Sequence, residues 1–367
     1  MMASNKTYRF LFAGGGTGGH LYPAVAVAEC IKTKLPNAQI LFVGTKSKIE
    51  GKVVPELGYK FKSIWIKGFS RKITLENFLF PLKLIVSVVQ SIFINLIFKP
   101  QVAIGSGGYV AGPAIFGSSI VGAKIILLEQ NSFPGVTSKL LERFAKEVHV
   151  SFEDSRKYFK NKEKILFTGN PVRKDLGSVN KSDALKAYNL SDSKKTLLIL
   201  GGSLGAGSIN EAVAGSLKVL TENNIQVIWQ TGKNYYDKYK VYKSNNVLVI
   251  PFIEKMDLAY SACDLMLARA GATTIAELLV LGIPSILVPS PNVAENHQYY
   301  NAKSLSEKNA AILTEDKNLS NRLSEEVISI ISDKEKLLQL KTNALLLGKP
   351  DAAEEIASRA IKYALAI

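Results

Sequence analysis

The chain repeats one local plan: an apolar run, a glycine-rich turn, then a helix-like stretch. Residues 8–13 run into Gly14, Gly15, Gly16, Thr17, Gly18, Gly19 and His20 ahead of the helix-like segment 23–34, and residues 196–200 feed GGSLGAGSIN at 201–210. Further short apolar runs at 39–43, 102–104, 124–128, 164–168, 226–230, 247–250, 265–268 and 285–288 alternate with longer helix-like segments. Such alternation predicts parallel sheets covered by helices on both faces, the doubly wound α/β class, here as two Rossmann-like domains facing a cleft. With 367 residues, 47% of them hydrophobic, two cores of this kind can be filled. A strand-like run ends at Thr168 and a stretch rich in Lys, Ser and Asp follows Pro171, so the expected domains are 1–168 and 169–349. Pro350 then precedes a helix-like tail, 350–367, in which Asp351 and Glu354 have capping-box spacing.

A glycine turn at a helix start lets the backbone approach a ligand, and the helix N-terminus offers unpaired N–H groups and positive dipole charge to oxygen-rich substrates. Gly14, Gly16 and Gly19 also satisfy the GxGxxG dinucleotide pattern, a weak signal alone. Two observations count against that reading. Residues 39–43 lead into Gly44, Thr45 and Lys46, where a Rossmann ribose site usually carries Asp or Glu. His20, moreover, adds a proton-transfer group at the mouth of the turn that dinucleotide cradling does not need. A third turn, GSGGYVAGP at 105–113, either allows close helix packing or admits a bulky substrate beside Tyr109.

The second half carries a comparable element at 267–289. A strand leads into Gly271, Ala272, Thr273 and Thr274, a small, hydroxyl-rich helix start suited to a diphosphate. Glu277 lies one turn further, where a carboxylate either accepts two hydrogen bonds from a ribose diol or serves as a solvated or capping residue. His297 and Gln298 follow the next strand and are candidates for reading sugar hydroxyls.

Charge is unevenly shared. Residues 1–170 hold 23 Lys and Arg against 10 Asp and Glu, whereas residues 171–367 hold 23 against 21, balances of +13 and +2 within the total of +15. A basic first half attracts nucleic acid, an anionic membrane or a phosphorylated substrate, and no nucleic-acid motif or dense basic run favours the first. Residues 82–98 are the most apolar part, with Lys83, Ser87, Gln90, Ser91 and Asn95 on one narrow stripe. Seventeen residues span about 25 Å, short of a hydrocarbon core of roughly 30 Å, leaving core packing and membrane-surface contact as equal readings. Lys67, Arg71 and Lys72 mixed with Phe69, Ile73, Leu75, Phe78 and Phe80 extend the surface reading. Cys30 and Cys263 are too far apart in sequence and too apolar in setting to suggest a disulfide framework or a metal cluster, and no secretory signal is evident, so a reducing cytoplasm is expected.

Taken in order, GGGTGGH at 14–20, GSGGYVAGP at 105–113, EQN at 129–131, GNPVR at 169–173, GGSLGA at 201–206, AGATTIAE at 270–277 and HQYYNA at 297–302 resemble the MurG family, glycosyltransferase family 28. The resemblance covers nearly the whole chain. It implies a GT-B fold whose first domain holds the acceptor, whose second holds UDP-N-acetylglucosamine, and whose chain end returns to the first. It further implies inverting transfer of N-acetylglucosamine to the 4-hydroxyl of the N-acetylmuramoyl unit of lipid I, giving lipid II for peptidoglycan, at the cytoplasmic face of the cell membrane. A GT-B transferase with another lipid acceptor and a UDP-sugar 2-epimerase are the alternatives.

Carried over residue by residue, the resemblance implies Thr17, Gly18 and Gly19 at the donor sugar, Asn131 on the transferred sugar, and Arg173 and Ser203 near the diphosphate. Ile253 would lie against the uracil, Ala272, Thr273, Thr274 and Glu277 at phosphate and ribose, and His297 and Gln298 at the N-acetylglucosamine hydroxyls. Gly107, Gly108 and Tyr109 would belong to the acceptor side, with His20 as general base and neither metal nor cofactor required. One departure stands out: related enzymes commonly carry a histidine immediately before EQN, and this chain has Leu128. His149, in a strand-like stretch, is expected to be structural.

Overall fold

A computed structural model of the chain describes residues 7–68, 78–173, 176–202 and 204–366. Ser203 and the residues Phe69, Arg71, Lys72, Ile73 and Leu75 fall outside them. The chain divides into two units, Met1–Val172 with Lys349–Ile367, and Arg173–Gly348.

In the first unit seven parallel strands lie in the order β3-β2-β1-β4-β5-β6-β7. They are β1 Arg9–Ala13, β2 Gln39–Gly44, β3 Lys60–Ser63, β4 Val102–Gly105, β5 Lys124–Glu129, β6 Ala145–Val150 and β7 Ile165–Phe167. Strand order reverses between β1 and β4, whose ends are level because Ala13 pairs with Gly105. Loops leaving the carboxyl ends of those two strands therefore meet, the usual place for a ligand in an open α/β sheet. Helix α1, Gly18–Lys34, begins earlier than the 23–34 segment expected, so Gly18, Gly19 and His20 form its first turn rather than the loop before it. Chain connection to the second unit comes after Val172 rather than after Thr168, since the Gly169 N–H still bonds to the Val150 carbonyl at 3.2 Å. The C-terminal helix Ala352–Leu365 packs on α1 through Ala353, Ile356, Ala357, Ala360 and Ala364, and Arg359 and Tyr363 both bond to Glu147 on β6 at 3.0 Å.

After α2, Ile49–Glu56, comes α3, Phe80–Phe98, two residues longer than the expected 82–98. By length and composition it is the one described helix able to cross a bilayer. Its orientation settles which face is which. Lys83, Ser87, Ser91 and Asn95 are buried, packed toward α4, Ala111–Ile120, where the Ser118 hydroxyl donates to Asn95 Oδ1 at 2.8 Å. Offset by two residues, hence on the opposite side of the helix, Ile85, Val89, Phe93 and Ile97 are 63, 59, 66 and 73% exposed. The helix is thus polar inward and apolar outward, the reverse of a core helix.

The second unit holds six parallel strands in the order β10-β9-β8-β11-β12-β13. These are β8 Lys195–Leu200, β9 Ile225–Gln230, β10 Val247–Ile250, β11 Leu265–Ala268, β12 Ser285–Leu287 and β13 Ile312–Leu313. Its order reverses between β8 and β11, with Leu200 paired to Ala268, so the second glycine loop also opens at a reversal point.

Candidate active site

In the first unit the carboxyl ends of β1, β4 and β5 lie side by side, and two sequence-distant groups meet His20 there. Its Nδ1 lies 2.9 Å from the Ser106 carbonyl and 3.1 Å from Gln130 Oε1. A carbonyl oxygen only accepts, so Nδ1 carries the proton and Nε2 of the neutral ring keeps its lone pair. The orientation of Gln130 is fixed in turn, because its Nε2 donates to the Leu128 carbonyl at 3.3 Å. Burial pushes the His20 pKa below its ordinary 6.5, against the opposing influence of the bonds to Gln130 and Ser106 and the charge of Glu50. The ring is held neutral near pH 7, the state a general base requires.

Around this ring the backbone is tightly fitted. Gly107 and Gly108 have φ of +93° and +78°, and a Cβ would lie 2.7 Å from His20 Nδ1 at the first and 2.5 Å from the Gly15 carbonyl oxygen at the second. No other residue type fits either position without moving the loop. Buried Glu50 organises the N-terminal turn: its carboxylate accepts from the Gly16 N–H at 2.9 Å, the Thr45 N–H at 3.0 Å and the Thr45 hydroxyl at 2.6 Å. Thr17, exposed and extended, precedes α1 without a side-chain capping bond, and the first turn has no acidic residue, which leaves Gly18 and Gly19 at an uncapped helix start. Asn131 is held on the loop after β5 by Glu129, which also accepts from the Gly135 N–H at 3.1 Å and whose carboxyl is pushed up by burial. Tyr109 packs beside Gly16 and Gly68. Leu128 is 2% exposed, in the apolar core that also holds Leu21 of α1. His149 is buried between Glu147 and Thr168, as a structural residue would be.

In the second unit a cavity of about 740 Å³ lies over the ends of β8 and β11. Gly201, Gly202, Ile253, Thr274, Glu277 and Gln298 line it. Ala272, Thr273 and His297 do not: Ala272 is 9% exposed, the Thr273 hydroxyl is buried without a protein partner, and His297 begins the helix His297–Ser306 just outside. The helix Ala272–Leu281 starts at Gly271 with no side-chain cap, a position where a phosphate gains N–H contacts and dipole stabilisation. Glu277 is 7% exposed, which removes the solvated-face reading. Its two carboxylate oxygens accept from the Tyr260 hydroxyl at 2.6 Å and from Arg173 at 3.3 Å. Arg173, expected at the diphosphate, is here engaged with that carboxylate.

Several lining groups carry no mark in the sequence. Gln230 ties the cavity together, its Nε2 donating to the Gly202 carbonyl at 3.1 Å and its Oε1 accepting from the Ile253 N–H at 2.8 Å. Arg269 bonds to Asp316, to Ser208 and to the carbonyls of Val288 and Pro289, bracing the floor. Among the described residues no His, Cys, Asp and Glu group has the makings of a metal site.

Two family models match successive parts of the chain: the glycosyltransferase family 28 N-terminal domain over residues 10–150 and its C-terminal domain over 196–356. A Flavobacterium psychrophilum protein named UDP-N-acetylglucosamine–N-acetylmuramyl-(pentapeptide) pyrophosphoryl-undecaprenol N-acetylglucosamine transferase is 44% identical, over 97% of this chain and 98% of its own length. The chain belongs to glycosyltransferase family 28. A second family 28 relative, the identically named protein of Cytophaga hutchinsonii, is 42% identical over 98% of this chain and 97% of its own. Acinetobacter baumannii MurG, a solved structure, matches with a TM-score of 0.78 and 25% identity over 97% of this chain and all of its own. A UDP-N-acetylglucosamine 2-epimerase also superimposes, at a TM-score of 0.64 but 12% identity, and shares the fold alone. For this family 28 chain, then, the GT-B architecture of two parallel-sheet domains is established, as the motifs implied.

The state of His20 sets a pH dependence. If Nε2 accepts a proton during turnover, kcat/KM falls as pH drops, with the limb below the ordinary 6.5 because burial lowers the folded pKa. Stability shifts in the same direction. The unfolded chain takes up this proton first, so the contribution of neutral His20 is present above 6.5 and lost as pH falls through the folded pKa. A pH–rate profile whose acid limb lies above 6.5 contradicts the assignment.

Proposed function

We propose that the chain transfers N-acetylglucosamine from UDP-N-acetylglucosamine to the muramoyl 4-hydroxyl of undecaprenyl-diphosphoryl-N-acetylmuramoyl-pentapeptide, with inversion. The carrying observation is the 44% identity to a transferase named for this reaction across almost the full length of both proteins. Fold alone would not separate this reaction from epimerisation, since the 2-epimerase match has it too.

Residue chemistry supports the same reading. The second unit's cavity holds UDP: the helix starting at Gly271 receives the diphosphate, Glu277 the ribose diol, the Ile253 backbone the uracil, and Gln298 the sugar hydroxyls. Nε2 of His20 takes the proton from the acceptor hydroxyl as its oxygen bonds to the anomeric carbon in line and the bond from that carbon to UDP breaks, turning an α-linked donor into a β-linked product. Helix N–H groups and Arg173 stabilise charge on the departing UDP; for Arg173 this needs its guanidinium to shift from Glu277 or share it. Transfer of labelled sugar to a short-chain acceptor analogue, and not to diacylglycerol, is the expected result. Conversion of UDP-N-acetylglucosamine to its 2-epimer without acceptor overturns the proposal.

Attachment to the cytoplasmic face of the membrane is part of the same proposal, supported by the outward apolar ladder of α3 and by the +13 balance of the first 170 residues. Phe93→Asp combined with Ile97→Asp lowers partitioning onto anionic vesicles by at least about tenfold, given about 1.5–3 kcal/mol per apolar side chain withdrawn from water. Sedimentation with vesicles checks this, and partitioning equal to wild type rules out the ladder as the contact.

A further inference from the structure

A second large cavity, of about 960 Å³, lies in the first unit and has no part in the chemistry just described. Its walls are apolar: Leu84 and Val88 from α3, Phe116 from α4, and Val136 and Leu140 from α5, Val136–Leu141. The lining also includes Tyr109, the residue beside Gly16 of the His20 loop. Another wall, Leu84, is 39% exposed on the helix that carries the outward apolar ladder. Cations complete the lining, namely Lys139, Arg143, Lys160 and Lys164. The one acidic lining residue, Glu142, is already engaged, accepting from the backbone N–H groups of Lys160 and Asn161 at 3.1 and 2.6 Å.

An apolar trough with a cationic lining matches a single amphiphile: a hydrocarbon chain joined to a polyanionic head. A bilayer surface needs a convex apolar face, which α3 supplies separately, whereas a walled groove fits one chain. We propose that this groove binds the diphosphate-proximal isoprene units of the acceptor, with the cations toward its diphosphate and Tyr109 beside the His20 loop. This rests on the transferase reading above. It adds that the enzyme recognises the lipid itself, beyond the membrane around it.

Filling the groove tests this. Gly112 lies in the first turn of α4 and lines the cavity, and a Cβ there would meet only Thr137, at 3.8 Å, so Gly112→Phe adds bulk at the cavity wall with room for its Cβ. Val136→Asp places a carboxylate at an exposed helix start, 55% accessible, where the fold tolerates it. Transfer is measured in detergent with two soluble acceptors that carry the same diphosphoryl-muramoyl-pentapeptide, one on a ten-carbon prenyl chain and one on a methyl group, with vesicle sedimentation alongside. Wild type should favour the prenyl acceptor in kcat/KM by about tenfold or more. Both variants should lose most of that preference while sedimenting with anionic phospholipid vesicles as wild type does. A wild type indifferent to the chain overturns the proposal, as do variants that keep the full preference. Variants that lose vesicle binding and keep chain preference assign the groove to a phospholipid acyl chain and overturn it likewise. Absence of transfer to either acceptor by wild type is a different failure, that of the transferase reading.

Discussion

His20→Ala lowers kcat for sugar transfer by about 10²–10⁴-fold, the usual contribution of a positioned general base, and leaves UDP affinity within about twofold. The split follows from location. His20 belongs to the first unit, fixed there by Ser106 and Gln130, whereas every residue lining the nucleotide-sized cavity belongs to the second. Single-turnover rates and UDP titration on one preparation separate the two quantities. Turnover near wild type with normal UDP binding would remove His20 from the role of base. The same geometry separates base from scaffold: Gln130→Leu keeps the imidazole but removes one of the two acceptors of its Nδ1 proton, so its loss in kcat should be smaller than that of His20→Ala.

Glu277→Ala raises KM for UDP-N-acetylglucosamine by about ten- to a hundredfold, with a smaller effect on kcat. Hydrogen bonds to a charged group contribute about 1.5–3 kcal/mol, and 1.4 kcal/mol is tenfold in affinity. The substitution also strips the buried Tyr260 hydroxyl of its acceptor, so part of the loss is structural. A deoxyribose comparison isolates the rest. Wild type should bind UDP more tightly than 2′-deoxy-UDP, and the variant should bind the two alike. An unchanged ratio would mean that Glu277 only braces Tyr260 and Arg173.

Much of the scaffold is legible in the sequence for a physical reason. Central strands such as Phe10–Phe12 and Leu197–Ile199 are buried on both faces and so stand out as continuous apolar runs. Strand β3, Lys60–Ser63, lies at the sheet edge with a mostly exposed KFKS sequence, and β13 is two residues long; neither carries such a signal. For α3, periodicity showed a distinct polar stripe. It could not say that the stripe turns inward, because a pattern of faces is symmetrical until a partner such as Asn95–Ser118 is known.

The site divides the same way. Glycine turns and His20 are local and readable. The groups that give His20 its tautomer come from 86 and 110 residues away and meet it only because β1, β4 and β5 are neighbours in the sheet. Glu50, Gln230 and Arg269 are equally invisible, single polar residues whose roles depend on which loop ends they reach. Ala272, Thr273 and His297 were carried over with their motifs, yet a helix start exposes only some of its residues to the cavity. Of the same motif, Thr274 and Glu277 line it, together with Gly271.

The most direct test of the central claim is the anomeric configuration of the sugar transferred by wild-type enzyme from UDP-N-acetylglucosamine to a soluble prenyl-diphosphoryl-muramoyl-pentapeptide, read by proton NMR of the disaccharide. In-line displacement assisted by His20 predicts a β-linked disaccharide and UDP released only when acceptor is present. An α-linked product, or UDP released at the same rate without acceptor, contradicts it.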